Sequence, residues 1–135
     1  MIYLLDACAV IAFLDKEAEG VMVKKLFDRT DTGKITIYIS VVNLVEVFYH
    51  FIKKTGEEKA VEIMRKLDDL PLDVIYTISR AIYCETAHLK ARYSISLGDV
   101  FLCATAKSFS ATVVTKDHEI EAVEQSEHLS VLWIR

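Results

Sequence analysis

The sequence predicts an α/β fold in which helices form layers on both faces of a parallel sheet of about five strands. Short runs of apolar or β-branched residues alternate along the chain with longer segments whose apolar residues recur at helical spacing. Hydrophobic residues make up 53% of the 135 positions, a high content that suits a sheet buried on both faces. Because no linker, repeat or low-complexity tract interrupts residues 1–135, we expect one domain with a three-layer α/β/α architecture.

Each predicted strand is a short run rich in aliphatic, β-branched or aromatic residues. Such residues fit a pleated, buried surface, and runs this short are better explained as strands than as buried helices. In chain order the runs are IYLL (2–5), ITIYIS (35–40), LDVIYT (72–77), ATVVT (111–115) and LSVLWI (129–134).

The segments between these runs are expected to be helical. EEKAVEIMRKLDDL carries its apolar residues on one stripe, as an amphipathic helix does, whereas VVNLVEVFYHFIKK is apolar nearly all round. Alternation of strands and helices favours parallel pairing, with the helices packed against the sheet. In chain order the predicted helices are 7–15, 19–30, 41–54, 57–70, 78–93, 93–109 and 117–125.

The composition argues against several classes of protein. A net charge of −4 is unsuited to coating nucleic acid by electrostatic attraction, but it allows an enzyme that reaches phosphate through metal ions held by carboxylates. No run reaches the ~18 apolar residues that a membrane-spanning helix needs. The apolar N-terminal stretch lacks a basic leading region and contains Asp6, so it does not match a secretion signal.

The three cysteines, Cys8, Cys84 and Cys103, are odd in number and far apart in the sequence. They form no C-x-x-C pair, and no histidine stands at the spacing of a structural zinc site. We therefore expect reduced, buried thiols in a cytoplasmic protein.

Four acidic residues stand apart from the charged helix faces that hold most of the others. Asp6 directly follows the first strand, and Asp117 follows the fourth strand by two residues. Glu46 is the only charged residue in VVNLVEVFYHFI. Asp99 lies in SLGD, at the start of the predicted helix within 93–109. These positions make the four residues candidates for a functional site.

Each of these acids also has an ordinary structural explanation. Asp6 and Asp117 could cap the helices that follow them, an interaction that stabilises a helix by ~1 kcal/mol. Glu46 could close a capping box with Asn43, and Asp99 could close one with Ser96.

The shared location of the four acids favours a metal site. Residues just beyond the carboxyl ends of parallel strands line one edge of the sheet, where α/β proteins bind ligands. Carboxylates that converge there repel one another unless they hold a cation. Since oxygen ligands select Mg²⁺ or Mn²⁺ over zinc, the expected ion is one of these two.

These residues and their surroundings resemble a PIN domain over the whole chain. The motifs that carry the resemblance are LLDACAVIAFL, SVVNLVEVFY, SLGDVFLCATA and VVTKD, of which the third is the most specific. Among PIN domains, a small chain of this kind most resembles the VapC-type toxins of toxin–antitoxin pairs. The resemblance implies an Mg²⁺- or Mn²⁺-dependent ribonuclease, usually homodimeric, that is inhibited by a small antitoxin. It assigns catalytic and metal-binding roles to Asp6, Glu46, Asp99 and Asp117.

The sequence departs from the family pattern after the first aspartate, and the pattern does not define the role of Thr115 or the residues that bind RNA. Family members often carry Thr or Ser in the two positions after the first aspartate, but here these are Ala7 and Cys8. Thr115 could contact the site through its hydroxyl or could be a plain strand-end threonine. No motif fixes the residues that bind RNA, for which the basic candidates are Lys53, Lys54, Arg92 and Lys116.

The expected reaction is hydrolysis of an RNA phosphodiester by in-line attack of a metal-bound water. Asp6 and Asp99 are the first-choice ligands, with Glu46 beside them. Asp117 is expected to complete this site, to bind through water or to hold a second ion. Which carboxylate acts as the base stays open.

Other functions share some of these sequence features. A PIN nuclease that processes RNA without an antitoxin would carry the same acids, and an inactive PIN-like scaffold would only bind a partner. A phosphoacceptor signalling domain would need paired acids after the first strand and an acceptor aspartate after the third, where this chain has Asp6 alone and then ISRA. A haloacid-dehalogenase-type phosphatase would need a second acid at Cys8.

The nearly all-apolar helix 41–54, together with helix 57–70, is expected to form a dimer or antitoxin surface. The alternative is a helix that is simply buried in a small domain.

Overall fold

The computed structural model describes residues 1–135 and contains one five-stranded sheet. All neighbouring strands are parallel, and their order is β3-β2-β1-β4-β5. The predicted α/β fold with a parallel sheet is therefore confirmed. The strands are β1 (Ile2–Leu5), β2 (Thr36–Ser40), β3 (Asp73–Ile75), β4 (Thr112–Thr115) and β5 (Val131–Trp133).

Seven α-helices connect the strands, and a short 3₁₀ helix spans Thr30–Thr32. The helices are α1 (Ala7–Leu14), α2 (Gly20–Arg29), α3 (Val41–Thr55), α4 (Glu57–Leu67), α5 (Arg80–Arg92), α6 (Leu97–Phe109) and α7 (Ile120–Glu127).

Every predicted element is present, and the differences lie at its ends. The outer strands β3 and β5 each have only three residues, because each pairs with a neighbour on one side alone. The predicted runs 72–77 and 129–134 are therefore longer than the strands they contain. Helix α7 begins at Ile120 rather than at residue 117, because a turn occupies the first positions of the predicted segment.

Hydrophobic side chains from alternate strand residues fill separate cores on the two faces of the sheet. Leu5 and Val114 contribute to one core, which includes side chains from α1 to α4. Leu4 and Val113 contribute to the other core, with side chains from α5, α6 and α7. This arrangement gives the three layers predicted from the sequence.

The strand order reverses at the centre of the sheet. The chain runs outward from β1 through β2 to β3 and then crosses back to β4, which pairs with the other side of β1. In open α/β sheets a crevice forms beyond the carboxyl ends of the strands at such a reversal. Asp6 and Asp117 lie at this edge, directly after β1 and shortly after β4.

The three cysteines are free, and Cys103 is buried as predicted. The prediction of burial is wrong for Cys8 and Cys84, which are partly exposed. A search of the helices for membrane spans is negative, since none combines the length and apolar character needed to cross a bilayer.

Candidate metal centre

Asp6 is a buried carboxylate held at both of its oxygens. It is the N-cap of α1, and its Oδ1 accepts a 2.7 Å hydrogen bond from the backbone N–H of Ala7. Its Oδ2 accepts a 2.7 Å bond from the hydroxyl of Thr115. The predicted cap is therefore confirmed, but it employs only one oxygen. Burial raises the pKa of Asp6, an effect that its hydrogen bonds oppose and the charge of Asp117 adds to.

Asp99 lies in the first turn of α6 and is also buried. The N-cap Ser96 accepts a 3.2 Å bond from the Asp99 backbone N–H, which forms one half of the predicted capping box. The other half is absent, because the Ser96 N–H points to Glu119 Oε2 at 3.4 Å. Oδ2 of Asp99 is buried and receives no hydrogen bond from a donor group, and the side chain that neighbours this carboxyl is another carboxyl, that of Glu119.

The pKa of Asp99 is raised to about 8, first because burial penalises its charged form. The neighbouring carboxyl of Glu119 adds to this rise, as do the charges of Asp6 and Asp117. A carboxyl this perturbed, with an unpartnered oxygen among like charges, is typical of functional sites.

Asp117 follows β4 but does not cap α7, so that prediction is wrong. The N-cap position of α7 is Glu119, whose side chain makes no capping bond. Asp117 instead accepts a 3.0 Å bond at Oδ1 from the Glu119 N–H, which closes a turn before the helix. Its own N–H donates a 3.0 Å bond to Oγ1 of Thr115. These two bonds hold Asp117 beside the end of β4.

The structure brings the three aspartates together. One oxygen each from Asp6, Asp99 and Asp117 lie within 4.8 Å of one another, which is close enough for a single ion to bind all three. No lysine, arginine or histidine forms an ion pair with any of them. The cluster is thus an uncompensated set of acidic oxygens on the predicted edge of the sheet.

Glu46 lies beside this cluster but outside it, and it is more exposed than the aspartates. Burial of part of its side chain raises its pKa, and the charges of Asp6 and Asp117 contribute to the rise. The predicted capping box with Asn43 is wrong. The N-cap of α3 is Ser40, and Asn43 lies within the helix, where its Nδ2 donates a 2.6 Å bond to Glu46 Oε1.

Thr115 connects two of the candidate ligands, which settles the question left open by the sequence. It is fully buried, and its hydroxyl donates to Asp6 Oδ2 while accepting the N–H of Asp117. Cys8 Sγ lies 3.4 Å from the same Asp6 oxygen and 3.5 Å from Thr115 Oγ1. Burial and the charge of Asp6 raise the pKa of the Cys8 thiol to about 12, so the thiol stays protonated.

The basic residues considered for RNA binding are mostly engaged elsewhere. Lys54 pairs with Asp15 at 2.9 Å, and Arg92 pairs with Glu127 at 3.0 Å. Lys116 forms ion pairs with Glu17 and Glu19. Lys53 donates a hydrogen bond to the hydroxyl of Tyr49.

The fold is similar to those of several solved toxin–antitoxin proteins. A chain in the structure of VapBC2 from Rickettsia felis, bound to a promoter DNA fragment, superposes with a TM-score of 0.80 and 18% identity over 100% of both chains. A chain of a toxin–antitoxin complex from Klebsiella pneumoniae superposes with a TM-score of 0.69 and 18% sequence identity, over 96% of this chain and 95% of that chain. VapC20 from Mycobacterium tuberculosis is a toxin that cleaves the sarcin–ricin loop. It superposes with a TM-score of 0.70 and 15% sequence identity, over 90% of this chain and 94% of that chain.

Identities this low establish likeness of fold, and no curated protein matches the sequence. Membership of a family rests on a separate comparison with family models. The model of the PIN domain matches residues 3–125, a span that includes the four acids and Thr115. The chain therefore belongs to the PIN domain family.

Proposed function

We propose that this protein is an Mg²⁺- or Mn²⁺-dependent endoribonuclease that acts as the toxin of a toxin–antitoxin pair. The observation that carries the proposal is the convergence of Asp6, Asp99 and Asp117 within 4.8 Å, without a basic partner. Like charges held this closely destabilise a protein unless a cation offsets them. Membership of the PIN family and the toxin folds described above support the same conclusion.

The donor set fits a hard divalent ion. Every atom of the cluster is a carboxylate oxygen, which suits Mg²⁺ or Mn²⁺, whereas zinc sites favour histidine and thiolate. The nearby thiol of Cys8 stays protonated and is directed to Asp6 and Thr115, so it is a poor ligand. Oδ2 of Asp99 is buried and receives no hydrogen bond from a donor group, so it is available to an ion.

Asp6, Asp99 and Asp117 are the proposed ligands of the principal ion. A divalent ion in this position lowers the pKa of a bound water and offsets charge on the phosphoryl oxygens during phosphodiester hydrolysis. Thr115 and the N–H of Ala7 fix Asp6, while the turn at Glu119 fixes Asp117. Preorganised ligands of this kind need no rearrangement when substrate binds.

Glu46 has a different proposed role, because it stands outside the aspartate cluster. Asn43 orients its carboxylate, and its raised pKa brings the group closer to neutrality than an ordinary glutamate. A carboxylate in this state can accept a proton from the attacking water or bind a second ion.

The proposed partners are a small antitoxin and a second copy of the chain. Val45, Tyr49 and Ile52 form an apolar stripe on α3 and are 62%, 59% and 40% exposed. Leu44 and Phe48 of the same helix line a cavity of about 470 Å³ between α3, α4 and β3. Exposed apolar side chains that adjoin one another on a helix beside an apolar cavity suit a protein contact, so we assign this surface to the homodimer or the antitoxin. The free cysteines suit the cytoplasmic location proposed for such a pair.

The assignment is tested by Asp99→Asn, which keeps the size of the side chain and removes its charge. We expect the variant to fold and to lose Mn²⁺-dependent cleavage of RNA, measured on purified protein with EDTA as the metal-free reference. Asp31→Asn, at an exposed acid far from the cluster in sequence, is the control and should cleave like the parent. Cleavage by Asp99→Asn at the parental rate would refute the site.

A further inference from the structure

Gly98 leaves a space that the carboxylate of Glu46 fills. A Cβ atom added to Gly98 would lie 2.9 Å from Glu46 Oε1, 3.0 Å from Oε2 and 3.1 Å from the carboxyl carbon. Contacts between real Cβ atoms and oxygens are longer, so any side chain at position 98 displaces this carboxylate. Gly98 is helical and does not have the positive φ that Gly33 and Gly56 adopt, so backbone conformation does not require a glycine here.

Asn43 also contacts the carboxylate of Glu46. It is completely buried, and its Nδ2 donates a 2.6 Å hydrogen bond to Glu46 Oε1. Its Oδ1 is buried without a partner, which is unfavourable for the native state. Its one side-chain hydrogen bond is therefore the bond to Glu46.

The carboxylate of Glu46 consequently lies between α3 and the first turn of α6, against the residue that directly precedes Asp99. The N-terminal end of a helix favours negative charge, which stabilises the carboxylate in this place. Asp6 and Asp117 are near enough for their charges to raise the pKa of Glu46.

We propose that Gly98 and Asn43 are positioning residues, which fix Glu46 against the start of α6 and thereby set the affinity of the aspartate cluster for its divalent ion. The inference rests on the proposed function, since it takes the cluster to be a metal site. It predicts that Gly98→Ala keeps or raises the stability of the metal-free protein but lowers its affinity for Mn²⁺.

The variant should fold at least as stably as the parent in the absence of metal. Alanine is a better helix former than glycine, and the group it displaces is the flexible end of a side chain. Mn²⁺ affinity should fall by about 10-fold, because the displaced carboxylate of Glu46 no longer contributes its charge beside the aspartate cluster. A loss of this size is typical when a group just outside the direct ligands is altered. Leu97→Ala, in the same helical turn at a 55% exposed position, is the matched control and should bind Mn²⁺ like the parent.

A size exchange distinguishes positioning from a general disturbance of the site. Aspartate at position 46 is one methylene shorter than glutamate and leaves room for the methyl group that Gly98→Ala introduces. The double variant Glu46→Asp with Gly98→Ala should therefore bind Mn²⁺ more tightly than the sum of the two single losses predicts. Asn43→Leu keeps the branched shape of the side chain but removes the donor. This single variant, with Gly98 unchanged, should also bind Mn²⁺ more weakly than the parent.

The experiment is a calorimetric titration of Mn²⁺ into each purified protein, with thermal unfolding in EDTA as the measure of stability. Parental affinity in Gly98→Ala, or strictly additive losses in the double variant, would overturn the inference and leave the proposed function intact. If Gly98→Ala does not fold, parental affinity in Asn43→Leu overturns it in the same way. Absence of Mn²⁺ binding by the parent protein would overturn both.

Discussion

The hydroxyl of Thr115 donates a 2.7 Å hydrogen bond to Oδ2 of Asp6, joining the end of β4 to the residue that follows β1. The same hydroxyl oxygen accepts the N–H of Asp117, so one buried atom orients two of the three clustered aspartates. The strands β1 and β4 are neighbours in the sheet, and their pairing fixes the distance that this bond spans.

Thr115→Val is expected to lower Mn²⁺ affinity and RNA cleavage by about 10- to 100-fold, because it removes this oxygen while keeping the shape of the side chain. The bond lowers the pKa of Asp6, so its loss raises that pKa further. The acidic limb of the pH–rate profile should therefore move to higher pH. Thr115→Ser keeps the hydroxyl and should resemble the parent. An unchanged pH profile in Thr115→Val would contradict the role given to this bond.

The pKa values of the cluster predict how the stability of the metal-free protein depends on pH. A carboxyl whose pKa is raised by folding stabilises the native state below its ordinary pKa, and this contribution is lost as the pH rises through the native value. For Asp99 this loss of stability occurs between pH 3.8 and about pH 8. The pKa values of Asp6 and Glu46 are raised as well, so these groups contribute in the same direction. The melting temperature in EDTA should therefore fall as the pH rises from 5 to about 8.

Mn²⁺ should reverse this trend, because metal binding requires deprotonated carboxylates and stabilises only the native state. The difference in melting temperature with and without Mn²⁺ should grow as the pH rises. It should be smaller in Asp99→Asn, which lacks one ligand and whose metal-free stability should depend less on pH. A Mn²⁺ effect that is equal in the parent and in Asp99→Asn would contradict a shared ion.

The topology explains why the three aspartates could be brought together from the sequence. Asp6 and Asp117 follow strands whose parallel pairing puts their carboxyl ends at one edge, and Asp99 begins the helix that returns the chain to β4. The apolar runs of β1 and β4 end where the strands themselves end, at Leu5 and Thr115, which is enough to place Asp6 and Asp117 at this edge.

The surroundings of Glu46 could not be predicted in this way. Its contact with Gly98 depends on how α3 packs against α6, which is distant in sequence. Its bond from Asn43 lies within α3, at a three-residue spacing, but the direction of that bond is not fixed by the spacing alone. The capping box expected with Asn43 failed because Ser40, three residues earlier, begins the helix. The cap expected at Asp117 failed for a related reason, since its carboxylate closes a turn that precedes α7. Local polar patterns do not determine which backbone N–H a carboxylate accepts.

The three cysteines should differ in their reactivity towards iodoacetamide. The thiolate is the reactive form, and burial raises the pKa of both Cys8 and Cys103 to about 12. Cys84 is partly exposed on α5 and should be alkylated first at pH 8, as measured by mass spectrometry of the intact protein and its peptides. Early modification of Cys8 in the native protein would contradict the closed packing around Asp6.

Cys8→Ser tests the departure from the family pattern directly. A serine hydroxyl can donate to Asp6 Oδ2, where the thiol now lies 3.4 Å away as a weaker donor. The variant should bind Mn²⁺ at least as tightly as the parent and should fold normally. A loss of binding would show that the thiol itself is required.

The exposed stripe on α3 should determine the oligomeric state. Tyr49→Lys places a charge in the middle of the stripe, between Val45 and Ile52, and burying an unpaired ammonium in an apolar contact is strongly unfavourable. If two copies meet through this surface, light scattering should give the mass of a monomer for the variant and of a dimer for the parent. Mn²⁺ affinity should persist, because Tyr49 is not among the groups that hold the aspartates.

Tyr83→Lys is the matched control for this prediction. Tyr83 is 49% exposed on α5, which packs on the opposite face of the sheet from α3. The variant therefore adds the same charge to the surface without changing the stripe on α3. It should leave the dimer intact. A parent that is monomeric alone, but binds a coexpressed antitoxin that Tyr49→Lys fails to bind, would assign the stripe to the antitoxin instead. Dimers in both variants would exclude Tyr49 from the interface and place the contact between copies elsewhere on the molecule.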